Sequence, residues 1–126
     1  MELKAREQIG RYLLKFIDKH PEKRWNMKLI KRSWYITMNI YKEKFANDKI
    51  NILMNQNYTF DMFKKDNVDK RLRWHWNFNP NMSIKIYEDN YPGDFFKAYI
   101  SYIPDISIDY IKNNPKKNKY IFFIRK

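Results

Sequence analysis

Four short stretches of this chain restate one pattern, each opening on a small hydroxyl residue: Thr37-Met-Asn-Ile-Tyr41, Thr59-Phe-Asp-Met-Phe63, Ser83-Ile-Lys-Ile-Tyr87 and Ser107-Ile-Asp-Tyr-Ile111. The hydroxyls step by 22, 24 and 24 residues. One more step of 24 toward the N-terminus reaches Leu13-Leu-Lys-Phe-Ile17, which keeps the apolar pattern and loses the hydroxyl. The five prolines follow the same period. Pro80 and Pro104 each precede a serine by three positions, and Pro21, Pro92 and Pro115 fall eight or nine positions into their units. Self-similar units of about 20–50 residues build stacked-repeat architectures, so this period constrains the fold more than any single residue does.

A Ser or Thr ahead of a polar/apolar mix predicts a helix start, its oxygen accepting from a first-turn N–H. Asp61 and Asp109, two positions on, suit the positive end of a helix dipole. Apolar residues at spacings of one, three and four, such as Met38, Ile40 and Tyr41, draw one stripe along a helix of about two turns. The alternating alternative, a strand, is weakened because each run continues into charge, as in Lys42-Glu-Lys44 and Glu88-Asp-Asn90.

Proline or a polar cluster then closes each first helix. A second apolar segment follows: Trp25–Ile30, Ile50–Met54, Trp74–Phe78, Phe95–Ile100 and Tyr120–Ile124. These predict second short helices. Helices this short are marginal alone and need packing from neighbours, which stacking supplies. The expected fold is therefore all-α, a small α-solenoid of about five degenerate helix-turn-helix repeats of 22–24 residues. It forms one domain over 1–126, with a cap at 1–11 and units at 12–35, 36–57, 58–81, 82–105 and 106–126. Hydrophobic residues at 44% and aromatics at 18% suffice for a core, and only two glycines argue against a turn-rich β fold. The aromatics are expected mainly in that core.

Phe78-Asn-Pro-Asn-Met-Ser-Ile-Lys-Ile-Tyr87, Ile111-Lys-Asn-Asn-Pro-Lys116 and His20-Pro-Glu-Lys-Arg-Trp-Asn-Met27 resemble a tandem repeat of mimivirus-like large DNA viruses. That repeat reads roughly Asn-Pro-Asn-Ile-Thr-Trp-Asp-Ile-Ile-x-x-Asn-Pro-Asp-Lys-Pro-Trp-x-Trp. The likeness runs from about Tyr12 onward and is closest at Asn79-Pro-Asn81 with Ser83. The Trp after the hydroxyl is replaced here by Met38, Phe60, Ile84 and Ile108, and no single unit carries the whole pattern. The resemblance implies a viral origin and a helical repeat, and it implies no chemistry.

The net charge of +12 biases partners toward polyanions or acidic protein faces. In a stacked array the inter-helix turns would line one edge, and four of five turns are basic. They contribute Lys23 and Arg24; Lys49; Lys70, Arg71 and Arg73; and Lys116, Lys117 and Lys119 as candidate polyanion- or partner-binding residues. The plainer account is that turns are exposed and charged in any such protein. Arg71-Leu-Arg-Trp-His-Trp76 is the nearest candidate for a base-stacking site, and the plainer account of it is buried tryptophans flanked by solvated arginines. The last unit, Tyr120, Ile121, Phe122, Phe123 and Ile124, is apolar on all sides where a terminal repeat should be polar, so it is a candidate subunit contact.

Catalytic signals are thin. Cysteine is absent, which removes thiol chemistry and fits a reducing compartment. His20 and His75 lack a second ligand at metal spacing, and His20 sits in a slot that Asn114 fills elsewhere, which reads as a helix stop. No catalytic residue, cofactor, metal or small-molecule substrate is expected. No apolar run reaches the ~20 residues of a membrane span, and the charged N-terminus carries no secretory core. The expected protein is a non-enzymatic, virus-encoded interaction scaffold or adaptor. It would work inside the host cell, in the cytoplasm, the virus factory or the virion, and bind a protein partner or itself through the C-terminal unit. The alternative is nucleic-acid binding along the basic turn edge, in packaging or inhibition of a nucleic-acid machine. A metal-dependent nuclease is a weaker third class.

Overall fold

The computed structural model describes residues 2–90 and 102–114, and in these residues the chain is helix and turn with no strand. It divides into two compact units, Met1–Thr59 and Phe60–Lys126.

The N-terminal unit holds α1 (Leu3–Lys19), α2 (Met27–Lys31), α3 (Met38–Lys44) and a 3-10 turn, Asn51–Met54. Nothing between Leu3 and Lys19 breaks a helix, and Gly10 is tolerated because the partner backbone lies so close. A Cβ there would overlap the Tyr35 carbonyl oxygen and stand 2.9 Å from Ile40 Cδ1. Leu14, Ile17, Ile36, Ile40 and Tyr41 form the core, with Trp25, Met27 and Phe45 packed around it. One charged side chain is buried with them. The Arg6 guanidinium lies 3.7 Å over the Trp34 ring and donates to Trp34 O at 3.2 Å and Asn57 Oδ1 at 2.5 Å.

The C-terminal unit holds α4 (Phe60–Lys65), a 3-10 turn at Arg73–Phe78, α5 (Ile84–Asn90) and α6 (Ile108–Asn113). Phe63 stacks on Trp76 at 5.3 Å, and Trp76 Nε1 donates to Met82 Sδ at 2.9 Å, all three residues being buried. Asn67, at φ 46°, takes the left-handed conformation just past α4, where asparagine ends a helix at low cost. Asp105 accepts from Ile84 N at 2.7 Å and caps the start of α5.

Thr37, Thr59, Ser83 and Ser107 each lie directly before a short helix. Ser83 Oγ accepts from Ile86 N and Ser107 Oγ from Tyr110 N, both at 3.1 Å. Thr37 makes no such cap. Its hydroxyl instead donates to the Glu7 carboxylate on α1 at 2.8 Å, a charge-assisted bond that turns the side chain toward α1. The residue four past the hydroxyl is buried in three cases, Tyr41, Phe63 and Tyr87. The stop at His20 matches that at Asn114: φ/ψ of −128/57° and −132/64°, with the N–H bonded to Ile17 O and Ile111 O.

A corner recurs upstream of the hydroxyls as well. Ser33, Asn55 and Asn79 precede Thr37, Thr59 and Ser83 by four residues. Each side-chain oxygen accepts from the N–H two residues on: Tyr35 at 3.2 Å, Asn57 at 2.7 Å and Asn81 at 2.7 Å. Each carbonyl accepts from the N–H three residues on, Ile36, Tyr58 and Met82, at 2.9–3.0 Å. Ile103 keeps the backbone half, with Ile106 N at 3.2 Å.

Three expectations differ from the structure. Leu13 lies inside α1 rather than at a helix start, so α1 runs through the expected boundary at 11–12. Two of the second segments, Asn51–Met54 and Arg73–Phe78, are 3-10 turns and not α-helices. Each is held between an aspartate-closed turn before it and an asparagine-held turn after it, Asp48 and Asn55 for the first, Asp69 and Asn79 for the second. Several aromatics are also substantially exposed, Tyr12 at 74% and Trp34 and Tyr102 at 41%. The segments Phe95–Ile100 and Tyr120–Ile124 lie outside the described residues.

Candidate functional site

The basic turns are shaped by acids. Asp48 closes the turn after α3: its carboxylate accepts from Asn51 N at 2.9 Å, Asn51 Nδ2 at 2.9 Å, Ile50 N at 3.2 Å and Lys31 Nζ at 2.8 Å. Burial pushes the Asp48 carboxyl upward, but the Asn51 and Lys31 bonds outweigh it and hold it well below the usual carboxylate range. Asp69 repeats the device, accepting from Arg71 N at 2.9 Å. An aspartate that bonds the backbone two residues on is a turn maker, and the pairs Asp48-Lys49 and Asp69-Lys70 carry that signal in sequence.

The candidate cations therefore differ in what they have left to offer. Lys23, Arg24, Lys49 and Lys70 are exposed. Arg71 is exposed but ion-paired with Asp69 at 3.1 Å. Arg73 is half-buried and donates from Nε to Val68 O at 2.7 Å. Lys116, Lys117 and Lys119 lie outside the described residues, as does the candidate subunit contact Tyr120, Ile121, Phe122, Phe123 and Ile124.

Trp76 cannot stack on a base, because it is fully buried against Phe63 and Met82. Trp74 and His75 stack on one another at 3.7 Å and are half-buried. His20 caps α1, with its ring 4.5 Å from Phe16 and Nδ1 3.3 Å from Glu22 Oε1. Among the described residues no group of three His, Asp or Glu side chains could hold a metal ion. No described helix is long and apolar enough to cross a membrane.

A concave site that the sequence did not disclose lies in the N-terminal unit. It is a cleft of about 280 Å³ bounded by the second half of α1, the start of α2 and the end of α3. Leu14, Ile17, Met27 and Phe45 supply its apolar wall, and Arg11, Lys15, Asp18 and Lys44 its polar rim. Arg11 donates to Glu43 at 2.5 Å, which raises the guanidinium pKa and lowers that of Glu43. The available signal was the run Arg11, Leu14, Lys15, Asp18 at spacings of three and four, legible only once α1 is taken as one continuous helix.

No family model, curated protein or solved structure matches this chain.

Proposed function

We propose that this protein is a non-enzymatic, virus-encoded interaction module, a small α-solenoid of about five degenerate helix-turn-helix repeats that presents its surface to a protein partner. The observation that carries this reading is the recurrent corner. Ser33, Asn55 and Asn79 bond the same neighbours at the same phase, and a helix starts five residues after each one. Repeats of this kind extend a surface without needing a catalytic centre. The well-placed carboxylates also favour it, since Asp48 and Asp69 are spent on turns and Asp105 on a helix start. The viral origin rests on the resemblance of the Asn79-Pro-Asn81 and His20-Pro21 stretches.

The test is affinity capture of the tagged chain from infected or expressing cells, with nuclease treatment and a salt wash. A discrete protein retained through both supports the reading. Material released by nuclease and by modest salt would replace it with the second reading, nucleic-acid binding through the exposed Lys23, Arg24, Lys49 and Lys70.

A further inference from the structure

We infer that the cleft between α1 and α3 binds an acidic segment of a partner protein, taking one apolar side chain against Leu14, Met27 and Phe45 while Lys15 and Lys44 hold carboxylates beside it. The inference rests on the partner-binding reading and names where and how binding occurs.

The size of the cleft limits the guest. Sites for small ligands and cofactors span roughly 300–1,000 Å³. At about 280 Å³ this one lies at the lower edge of that range and has room for one large apolar side chain. Half-buried Met27 and Phe45 give that side chain an apolar seat that a nucleic-acid backbone has nothing to fill.

The rim selects the sign. Arg11 is committed to Glu43. Among the described residues neither Lys15 nor Lys44 has an ion-pair partner, and both are exposed. Asp18 is the single acid on the rim, so two unpaired cations face it. Two ammonium groups against one rim acid leave a surplus of positive charge beside the apolar wall, which favours a guest that carries negative charge next to its apolar group. A second copy of this chain is a poor guest, since the chain carries +12.

The test is an amide NMR titration of the full chain with three blocked peptides: acetyl-Glu-Asp-Phe-Asp-Glu-amide, its Gln/Asn counterpart, and the acidic peptide with glycine in place of phenylalanine. The acidic phenylalanine peptide is expected to move the signals of Lys15, Asp18, Lys44 and Phe45, less so in rising salt. Each control peptide should bind about tenfold more weakly or worse, and Lys15→Glu with Lys44→Glu should weaken the acidic peptide at least as much. Both lysines are exposed, so the paired variant should keep its fold, and the peptide series on the unaltered chain is decisive in any case. No movement, movement confined to other surfaces, or equal binding of the three peptides would overturn the inference. A captured partner whose binding survives the paired variant would also overturn it, while leaving the partner-binding reading intact.

Discussion

Asn55 shows how one residue fixes a corner. It is fully buried, and its amide donates to Lys31 O at 2.6 Å and Ile36 O at 3.0 Å, while its oxygen accepts from Asn57 N. Few side chains offer donors and an acceptor in so small a volume. Asn55→Ala should cost about 1–3 kcal/mol, because it strands buried backbone groups. Asn39→Ala, which removes only an exposed bond to Glu7, should stay within about 0.5 kcal/mol. Equal urea midpoints for the two variants would refute the role given to Asn55. Asp48 makes a pH-dependent contribution of known sign. Its folded pKa lies below its unfolded value, so its stabilisation is complete above about pH 4 and is lost as pH falls toward the folded value. Asp48→Asn should therefore be less stable than the unaltered chain from pH 5 to 8, and the gap should narrow below about pH 4. A gap that stays constant to pH 3 in chemical denaturation would count against this assignment.

At the scale of elements, α1 and the short helices had different visibility. The starts at Thr37, Thr59, Ser83 and Ser107 were legible because a hydroxyl ahead of an apolar stripe marks a helix start, although Ser83 and Ser107 use it as the local cap while Thr37 turns to Glu7. The 3-10 turns were not. Ile50–Met54 and Trp74–Phe78 show apolar content but not the side-chain-held turns that flank them, and apolar content does not distinguish 3-10 from α. Nor did Leu13 show that it sits mid-helix, since a period marks equivalence in phase and not a break in the chain. The cleft was hidden for the same reason, its rim residues being split across an assumed boundary at 11–12. The recurrent corner was present in sequence as Ser33, Asn55 and Asn79, and the turn aspartates as Asp48 and Asp69, but their hydrogen bonds emerge only in three dimensions. Gly10 tests how closely α1 approaches its neighbour. In an open helix Gly→Ala gains about 1 kcal/mol. Here the new methyl meets the Tyr35 backbone, so Gly10→Ala should instead destabilise by about 1–3 kcal/mol. A thermal melt at or above that of the unaltered chain would show that α1 does not pack against Tyr35 as described.

For the whole molecule the question is whether the charge of +12 is arranged or merely abundant. An arranged edge needs turn cations free of local partners. Among the described residues Lys23, Arg24 and Lys49 meet that condition, but Arg71 is paired with Asp69 and Arg73 is tied to Val68. The same aspartates that shape the turns also dilute their charge. Retention on heparin should then follow total charge rather than position, because attraction to a flexible polyanion sums over many weak contacts. Two triple variants separate the cases: Lys23→Glu, Arg24→Glu, Lys49→Glu in turns, and Lys28→Glu, Lys42→Glu, Lys65→Glu on helices. All six residues are exposed, and each set lowers the net charge equally. The expected result is the same drop in eluting salt for both. A markedly larger drop for the turn set would mean that the turns act together as a polyanion-binding edge, and nucleic-acid binding would become the better account of this protein.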